Sequence, residues 1–439
     1  MTDLNLDHIE RLVEPGRVHR RVYTDPEIFD LEMDRIFGRI WVFVGHESQI
    51  PRPGDWIRGR MGARQVIVTR DEAGALNVLD NRCSHRGMRI CLKDSGHSRR
   101  LVCPYHGWAF NHDGALAGVP APRGYTKKST DLTDPAFALK SAPRVDLYRG
   151  FIFASMAPDG PGLVEFLGDI AAALDNAVDR APDGEVEFAG GVVRQEFAGN
   201  WKMHMENACD LVHPGYVHQS SVDAARDHLR DASPGSIPQQ AIQMFNGNGI
   251  SLDEWDALGV YGFENGHCYM DGFYRGGMVD PAMADPVFTR YRALMVDRYG
   301  EDRTAEILGR DTFNNLIYPN ISINTRFQQF RVIQPVAVNR THIYSYSMRL
   351  KGAPEEMFEM SVRFVSTANS PSSPVSSDDF AIFEGAQAAL ANGDSEWLDF
   401  SRRLGDEQKT GKAAVRDSGT SELPMRTQLN AWRNLMGVP

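Results

Sequence analysis

Cys83-Ser84-His85-Arg86-Gly87 and Cys103-Pro104-Tyr105-His106-Gly107-Trp108 are the stretches whose reading decides the fold. Each couples one cysteine to one histidine, as Cys-x-His and Cys-x-x-His, with 17 residues between the pairs. That donor set suits a two-iron cluster whose irons are ligated differently. In a Rieske [2Fe–2S] centre two thiolates hold one iron and two imidazoles hold the other. Structural zinc also accepts Cys₂His₂ ligation, but it usually groups the cysteines together and the histidines together. One ligand of each kind per loop lets each loop reach both irons, an arrangement from which zinc gains nothing. Gly87 and Gly107 add to this reading, since glycine lets loop backbone close tightly around a cluster.

Composition bounds the rest. At 439 residues the chain is long enough for two or three domains. Its 42% hydrophobic and 24% charged content are those of a soluble globular protein. A formal charge of −11 argues against nucleic acid as a partner. The first residues lack the basic and apolar regions of a signal peptide, and no run approaches a membrane span, so no membrane partner is expected. Five cysteines are an odd number and two already have a use as ligands. A reducing cytoplasm is therefore expected, with Cys91, Cys209 and Cys268 as buried or semi-buried free thiols.

Hydrophobic periodicity divides the chain into three parts. Residues 1–40 are expected to be a helical segment packing with the last domain, because Ile28, Leu31, Met33, Ile36 and Phe37 recur at roughly helical spacing. Residues 41–158 read as an all-β domain of short strands, among them Gln65-Val66-Ile67-Val68-Thr69 and Gly150-Phe151-Ile152-Phe153-Ala154. Residues 159–439 read as α+β. A helix is expected over 164–181, with others over 288–299, 304–308 and 378–390. Strands are expected over 190–197, 327–336 and 342–350. The stretch 366–374 reads as a polar surface loop.

A second metal-binding pattern lies at Glu206-Asn207-Ala208-Cys209-Asp210-Leu211-Val212-His213-Pro214-Gly215-Tyr216-Val217-His218. On a regular helix His213 and His218 would point roughly 140° apart. Pro214-Gly215 disturbs such a helix, and a helix end there brings the imidazoles together. Two neutral imidazoles and one carboxylate with open positions form the facial triad of non-haem Fe(II) oxygenases. The best candidate for the carboxylate is Asp379 in Ser376-Ser377-Asp378-Asp379, with Asp378 as its competitor.

Taken together, the chain resembles the catalytic α subunit of Rieske non-haem iron ring-hydroxylating oxygenases over nearly its whole length. The segment Glu-Asn-x-x-Asp-x-x-His-x₄-His is closer to the benzoate and anthranilate branch than to the naphthalene branch, which has one more residue between Asn and Asp. Val212 departs from the tyrosine common before the first ligand histidine and puts local pocket shape in doubt. The resemblance implies an all-β Rieske domain plus an α+β catalytic domain of helix-grip type, a large antiparallel sheet flanked by helices. It implies that Cys83 and Cys103 bind one cluster iron and His85 and His106 the other. It further implies that His213, His218 and Asp379 hold a mononuclear Fe(II), and that Asp210 bridges the two centres between neighbouring subunits of an α3 or α3β3 assembly. The implied function is that of a terminal oxygenase that cis-dihydroxylates an aromatic substrate, with an aromatic acid in view. O₂ is the oxidant and NAD(P)H supplies electrons through a reductase, with or without a ferredoxin. No Gly-x-Gly-x-x-Gly follows a strand, which places the nicotinamide and flavin sites on partner proteins.

Asn207, Glu206 and Lys202 are weaker site candidates. Met203, Cys209, Leu211 and Val217 are candidates for pocket lining, and Arg326 or Arg331 for anchoring a carboxylate. Three alternatives stay open: a Rieske monooxygenase or oxidative dealkylase, a non-catalytic Rieske electron carrier, and a zinc-stabilised binding protein.

Overall fold

The structure is a computed structural model that describes residues 6–125, 131–273, 285–393, 395–411 and 414–437. The chain forms two compact units. One is residues 33–165; the other joins the segment up to Glu32 with everything from Phe166 onward.

Residues 33–165 are built on antiparallel strands. A four-stranded sheet runs in the order Leu76–Asp80, Arg64–Arg70, Asp55–Met61, Ser95–His97. Beside it in sequence stand a three-stranded sheet of Arg144–Tyr148, Phe151–Ser155 and Val42–His46, and a smaller one of Leu116–Gly118, Ala109–Phe110 and Leu101–Val102. Val66, Ile67 and Val68 are all buried, so this strand is covered on both faces. That explains a continuous β-branched run instead of an alternating one. Between Tyr148 and Phe151 the two-residue turn holds both Arg149 and Gly150 at positive φ (51° and 93°), the geometry whose twist matches a hairpin.

The second unit contains a nine-stranded antiparallel sheet. Its order is Val186–Phe197, Arg340–Leu350, Gln329–Ala337, Ile321–Asn324, Thr312–Ile317, Cys268–Asp271, Gly259–Phe263, Ala414–Ser418, Gln408–Thr410. Helices Trp201–Asn207, Gln219–Asp231, Glu355–Ala368, Pro374–Asn392 and Leu423–Met436 accompany it. The fold class read from the sequence therefore holds.

Local expectations fared unevenly. The start of the chain is not wholly helical: Val13–Glu14 and Arg17–His19 form a hairpin turning at Gly16 (φ 72°), and Arg17–His19 pairs with Trp397–Asp399. That partner is nearly four hundred residues away, beyond the reach of any local periodicity. The expected helix over 164–181 is two helices, Leu163–Leu167 and Ala171–Asp179, parted by a tight turn in which Gly168 has φ 50°. Helix Glu355–Ala368 runs into the expected polar loop. The loop's last serine, Ser373, caps Pro374–Asn392 by accepting from the Val375 and Ser376 amides at 3.2 and 3.3 Å.

The helix Trp201–Asn207 is held by buried polar groups. Glu32 accepts from Trp201 Nε1 (2.8 Å), Lys202 Nζ (2.5 Å) and Trp432 Nε1 (2.6 Å), and all four side chains are buried. Lys202 thus serves a structural ion pair and is not at the candidate site. Glu32→Gln leaves a buried ammonium without its counter-charge, so a loss of about 3–5 kcal/mol is expected in urea unfolding. Glu32→Gln combined with Lys202→Met is expected to recover most of it. If the double variant is as unstable as the single one, the charge pair is not the cause.

Candidate metal sites

The two cysteine–histidine loops fold alike. The Cys83 amide donates to Met88 O (2.8 Å) and the Gly87 amide to Cys83 O (2.9 Å). In the second loop the Cys103 amide donates to Trp108 O (2.8 Å) and the Gly107 amide to Cys103 O (3.0 Å). Each turn closes only because its glycine adopts positive φ, 74° at Gly87 and 69° at Gly107. The thiols point inward, buried among Ile67, Leu79, Leu101 and Phe110. The imidazoles stay half-buried at the rim. The His85 ring lies parallel to the Trp108 indole with centroids 4.7 Å apart, and the His106 ring stands edge-on to His85 at 4.8 Å. Burial lifts the Cys83 thiol above its usual range and Cys103 adds to this, while the amides of His85 and Arg86 donate to its sulfur and oppose both. A bound metal ion reverses that balance, since a coordinating thiol is deprotonated outright. Two inward thiolates and two rim imidazoles are the donor chemistry of a Rieske cluster.

The second site arises where a helix stops and restarts. Trp201–Asn207 begins at Asn200, whose Oδ1 accepts from the Lys202 amide at 3.1 Å. It ends at Asn207, and the chain then turns irregularly until Pro214 opens a new short helix, Pro214–Val217. Proline starts this helix rather than breaking one, because the first turn needs no amide donor. Asp210 consequently lies in the irregular turn, so its three-residue spacing from His213 does not place it one helical turn away. Its Oδ1 accepts from the Val212 amide at 2.7 Å, and its Oδ2 is 3.8 Å from His213 Nδ1.

His213 caps the short helix and His218 ends it, with ring centroids 5.3 Å apart. Asp379 enters from helix Pro374–Asn392. Its Oδ1 is 3.3 Å from His218 Nε2, 3.7 Å from His213 Nε2, and accepts from Asn207 Nδ2 at 3.2 Å. The donor atoms of the three residues lie within 4.8 Å of one another, a group able to hold one metal ion. Asp378 sits on the far side of the His218 ring, 3.6 Å from Nδ1, so of the two neighbouring carboxylates it is Asp379 that faces the shared space. Burial disfavours a charge on Asp379, yet His218 and His213 hold its carboxyl below the usual range. Two imidazoles and a carboxylate on one side of an open space fit a facial triad.

The group opens into a cavity walled by Met244, Trp255, Phe273, Phe313, Phe327 and Phe364. These residues, all but Met244 aromatic, come from distant elements and carried no signal in the sequence. Of the four expected lining residues only Leu211 takes part. Cys209 instead donates to Asn314 O at 3.4 Å, and Cys268 Sγ stands 3.4 Å from Cys209 Sγ. Arg331 lines the cavity, whereas Arg326 lines a different one with Tyr291 and Met357. His204 was missed: it is buried, and neither ring nitrogen has a hydrogen-bond partner. Burial pushes it down to about 3, helped by Arg331 and opposed by Asp379. Among the described residues no helix is long and apolar enough to cross a membrane.

Residues 40–138 match the family model described as Rieske [2Fe-2S] domain, and residues 182–437 match the one described as ring hydroxylating alpha subunit (catalytic domain). Toluate 1,2-dioxygenase subunit alpha of Pseudomonas putida is 32% identical, over 98% of this chain and 91% of its own length. Anthranilate 1,2-dioxygenase large subunit of Acinetobacter baylyi is 31% identical, over 88% and 80%. A solved structure of naphthalene 1,2-dioxygenase with indole in its active site aligns at a TM-score of 0.82 and 25% identity, covering 99% of this chain and 95% of that one. These matches remove the zinc and electron-carrier alternatives.

At Gly107 a Cβ would strain the positive φ and come within 2.9 Å of Pro120 Cγ, while at Gly118 nothing lies within 4 Å. Gly107→Ala is expected to cost about 1–2 kcal/mol and to lower the iron and acid-labile sulfide content of the purified protein. Gly118→Ala should match the parent. Equal iron and sulfide in both variants would show that the turn does not depend on glycine.

Proposed function

We propose how this chain, which belongs to the ring-hydroxylating oxygenase α-subunit family and carries a Rieske domain, uses the residues described above. It is a terminal oxygenase of a multicomponent system that hydroxylates aromatic substrates, and its cofactors are a Rieske [2Fe–2S] cluster and a mononuclear iron. The single observation that carries our site assignment is the convergence of His213, His218 and Asp379 at one end of an aromatic-walled cavity. We assign these three residues to the mononuclear iron, within a catalytic domain over 159–439. The cluster belongs to the segment 41–158, with Cys83 and Cys103 on one iron and His85 and His106 on the other.

When bound, the mononuclear iron supplies dioxygen activation and the cluster supplies the electron that one Fe(II) cannot. The side chains have positioning duties. Asn207 donates to Asp379 Oδ1 and so fixes the rotamer of the carboxylate. Asp378 beside His218 Nδ1 and Asp210 beside His213 Nδ1 orient the two rings, as carboxylates behind ligand imidazoles do. The aromatic walls exclude water and stack a planar substrate. The cavity has a volume of about 110 Å³, which favours a small substrate over a large one.

Asp210 is our candidate for the bridge, reaching His106 of a neighbouring subunit in an α3 or α3β3 ring. Support comes from exposed apolar side chains in the cluster unit, Leu92, Val102 and Tyr105, the last of them packed on His106 with ring centroids 3.7 Å apart, which docking would cover. A reductase, alone or with a ferredoxin, supplies the electrons from NAD(P)H.

Asp379→Ala is expected to keep the Rieske visible spectrum while losing mononuclear iron and turnover; full activity would reject the ligand assignment. Asp210→Asn should keep both metals yet slow single-turnover oxidation of the cluster about 10–100-fold. Kinetics equal to the parent's would remove Asp210 from the bridge.

A further inference from the structure

Arg331 is the one arginine in the wall of the aromatic cavity among the described residues. It stands in the middle of strand Gln329–Ala337, third in the nine-stranded order, and is 8% exposed. Its register partners are Ser322 on one side and Ser345 on the other. One guanidinium nitrogen donates to Ser322 Oγ (2.7 Å) and to Asn314 Oδ1 (3.1 Å). Both acceptors are neutral. Nε has no partner, and no carboxylate among the described residues pairs with the side chain within 4.0 Å. Ser345 Oγ, beside it, is buried and also without a partner. Asn314 adopts a positive φ of 42° where the strand register shifts, a strained conformation of the kind that collects at binding sites.

A buried arginine is ordinarily balanced by a carboxylate, because taking a lone charge out of water costs several kcal/mol. Burial pushes the Arg331 guanidinium down to about 10, so it stays charged at neutral pH. No described residue neutralises it at contact distance, and its free donors belong to a side chain that lines the substrate space. The planar fork of a guanidinium matches a carboxylate better than any other side chain does. The cavity also holds the neutral amides Asn314, Asn324, Gln329 and Asn369, which can orient an anion, while its carboxylates Asp210 and Asp379 act on the guanidinium through space without pairing with it.

We infer that Arg331 anchors an anionic substituent, a carboxylate, of the aromatic substrate, and that this specificity rests on the oxygenase reading above. The ring then extends from Arg331 among the aromatic walls, and the guanidinium acts through substrate position without taking part in the oxidation. Arg326, which lines a different cavity, has no share in this.

The test uses the metal-loaded protein with its electron-transfer partners and two probes of one shape, benzoate and toluene. Binding is read by calorimetry and turnover by product analysis, for the parent, Arg331→Met and Arg331→Lys. The expected result is that the parent binds and hydroxylates benzoate. Arg331→Met should weaken benzoate binding about 30-fold or more while leaving toluene unchanged, with Arg331→Lys between them. Visible spectra and thermal unfolding of each variant confirm that the fold and the cluster persist. The inference is overturned if the parent oxidises toluene but neither binds nor oxidises benzoate, or if Arg331→Met weakens both probes alike. Failure of the oxygenase reading looks different: no oxidised product from either probe with both metals in place. In that event benzoate binding lost in Arg331→Met still supports the anchor, and binding unaffected by the substitution rejects it.

Discussion

One carboxylate, that of Glu32, fixes the phase of the helix that begins the iron-site segment. It accepts three hydrogen bonds from Trp201, Lys202 and Trp432, none of which has access to water. A buried carboxylate is tolerated only with such full satisfaction, and the satisfied network then admits few other arrangements. Neighbouring groups extend it. Tyr23 donates to Glu206 Oε1 at 2.7 Å, and Asn200 reaches the carbonyls of Tyr23 and Val338. The Asn200 amide donates to Gln387 Oε1 at 2.9 Å. Gln387 lies on the same helix as Asp379, two turns further on. The network therefore sets the rotation of both helices that deliver the site, and the Asn207–Asp379 hydrogen bond is its last link.

The two sites solve the problem of rigid ligand placement differently. In residues 33–165 a pair of similar turns, each closed by a glycine at positive φ, presents the donors from backbone geometry alone. In the other unit the ligands come from a broken helix and a distant one, so side-chain packing and buried hydrogen bonds must supply the precision. That difference explains what could be read in the sequence. The residues we assign to the cluster, Cys83, His85, Cys103 and His106, lie within 24 residues and announce themselves by spacing. His213 and His218 were legible for the same reason, with Pro214 marking a change of helix. Asp379 lies far along the chain, and residue type left Asp378 beside it as a competitor until the resemblance favoured Asp379.

Other features were hidden because they depend on long-range pairing. The pairing of Arg17–His19 with Trp397–Asp399 leaves no periodic trace in either segment. Phe273, Phe313, Phe327 and Phe364 meet only when the sheet and helix Glu355–Ala368 are assembled. Helical spacing cannot be carried through Ala208–Val212 to place Asp210, because the backbone turns irregularly there. A solitary His204 looked like any core histidine, and burial on all sides keeps it neutral. Arg331 sat in a strand pattern that suits a solvated face as well as a buried one. Only the full sheet shows that its side chain is buried, with no carboxylate among the described residues within pairing distance.

The charges around the cavity bear on one another. Asp379 is the first negative group to favour the charge on Arg331, and Arg331 in turn disfavours a proton on His204. Without metal, the carboxylate and the guanidinium partly balance through space. On the assignment proposed above, a divalent cation held by His213, His218 and Asp379 would take up the Asp379 charge and add its own, giving the cavity positive charge besides that of Arg331. Metal and anionic substrate then each favour the binding of the other, and by linkage the coupling is reciprocal. An uncompensated arginine is costly in the empty protein but becomes an asset once both are present. The positive φ of Asn314, the unpartnered Ser345 hydroxyl and the free Arg331 Nε all lie at this one place in the sheet, so the local cost in stability and the proposed anchor fall on the same residues.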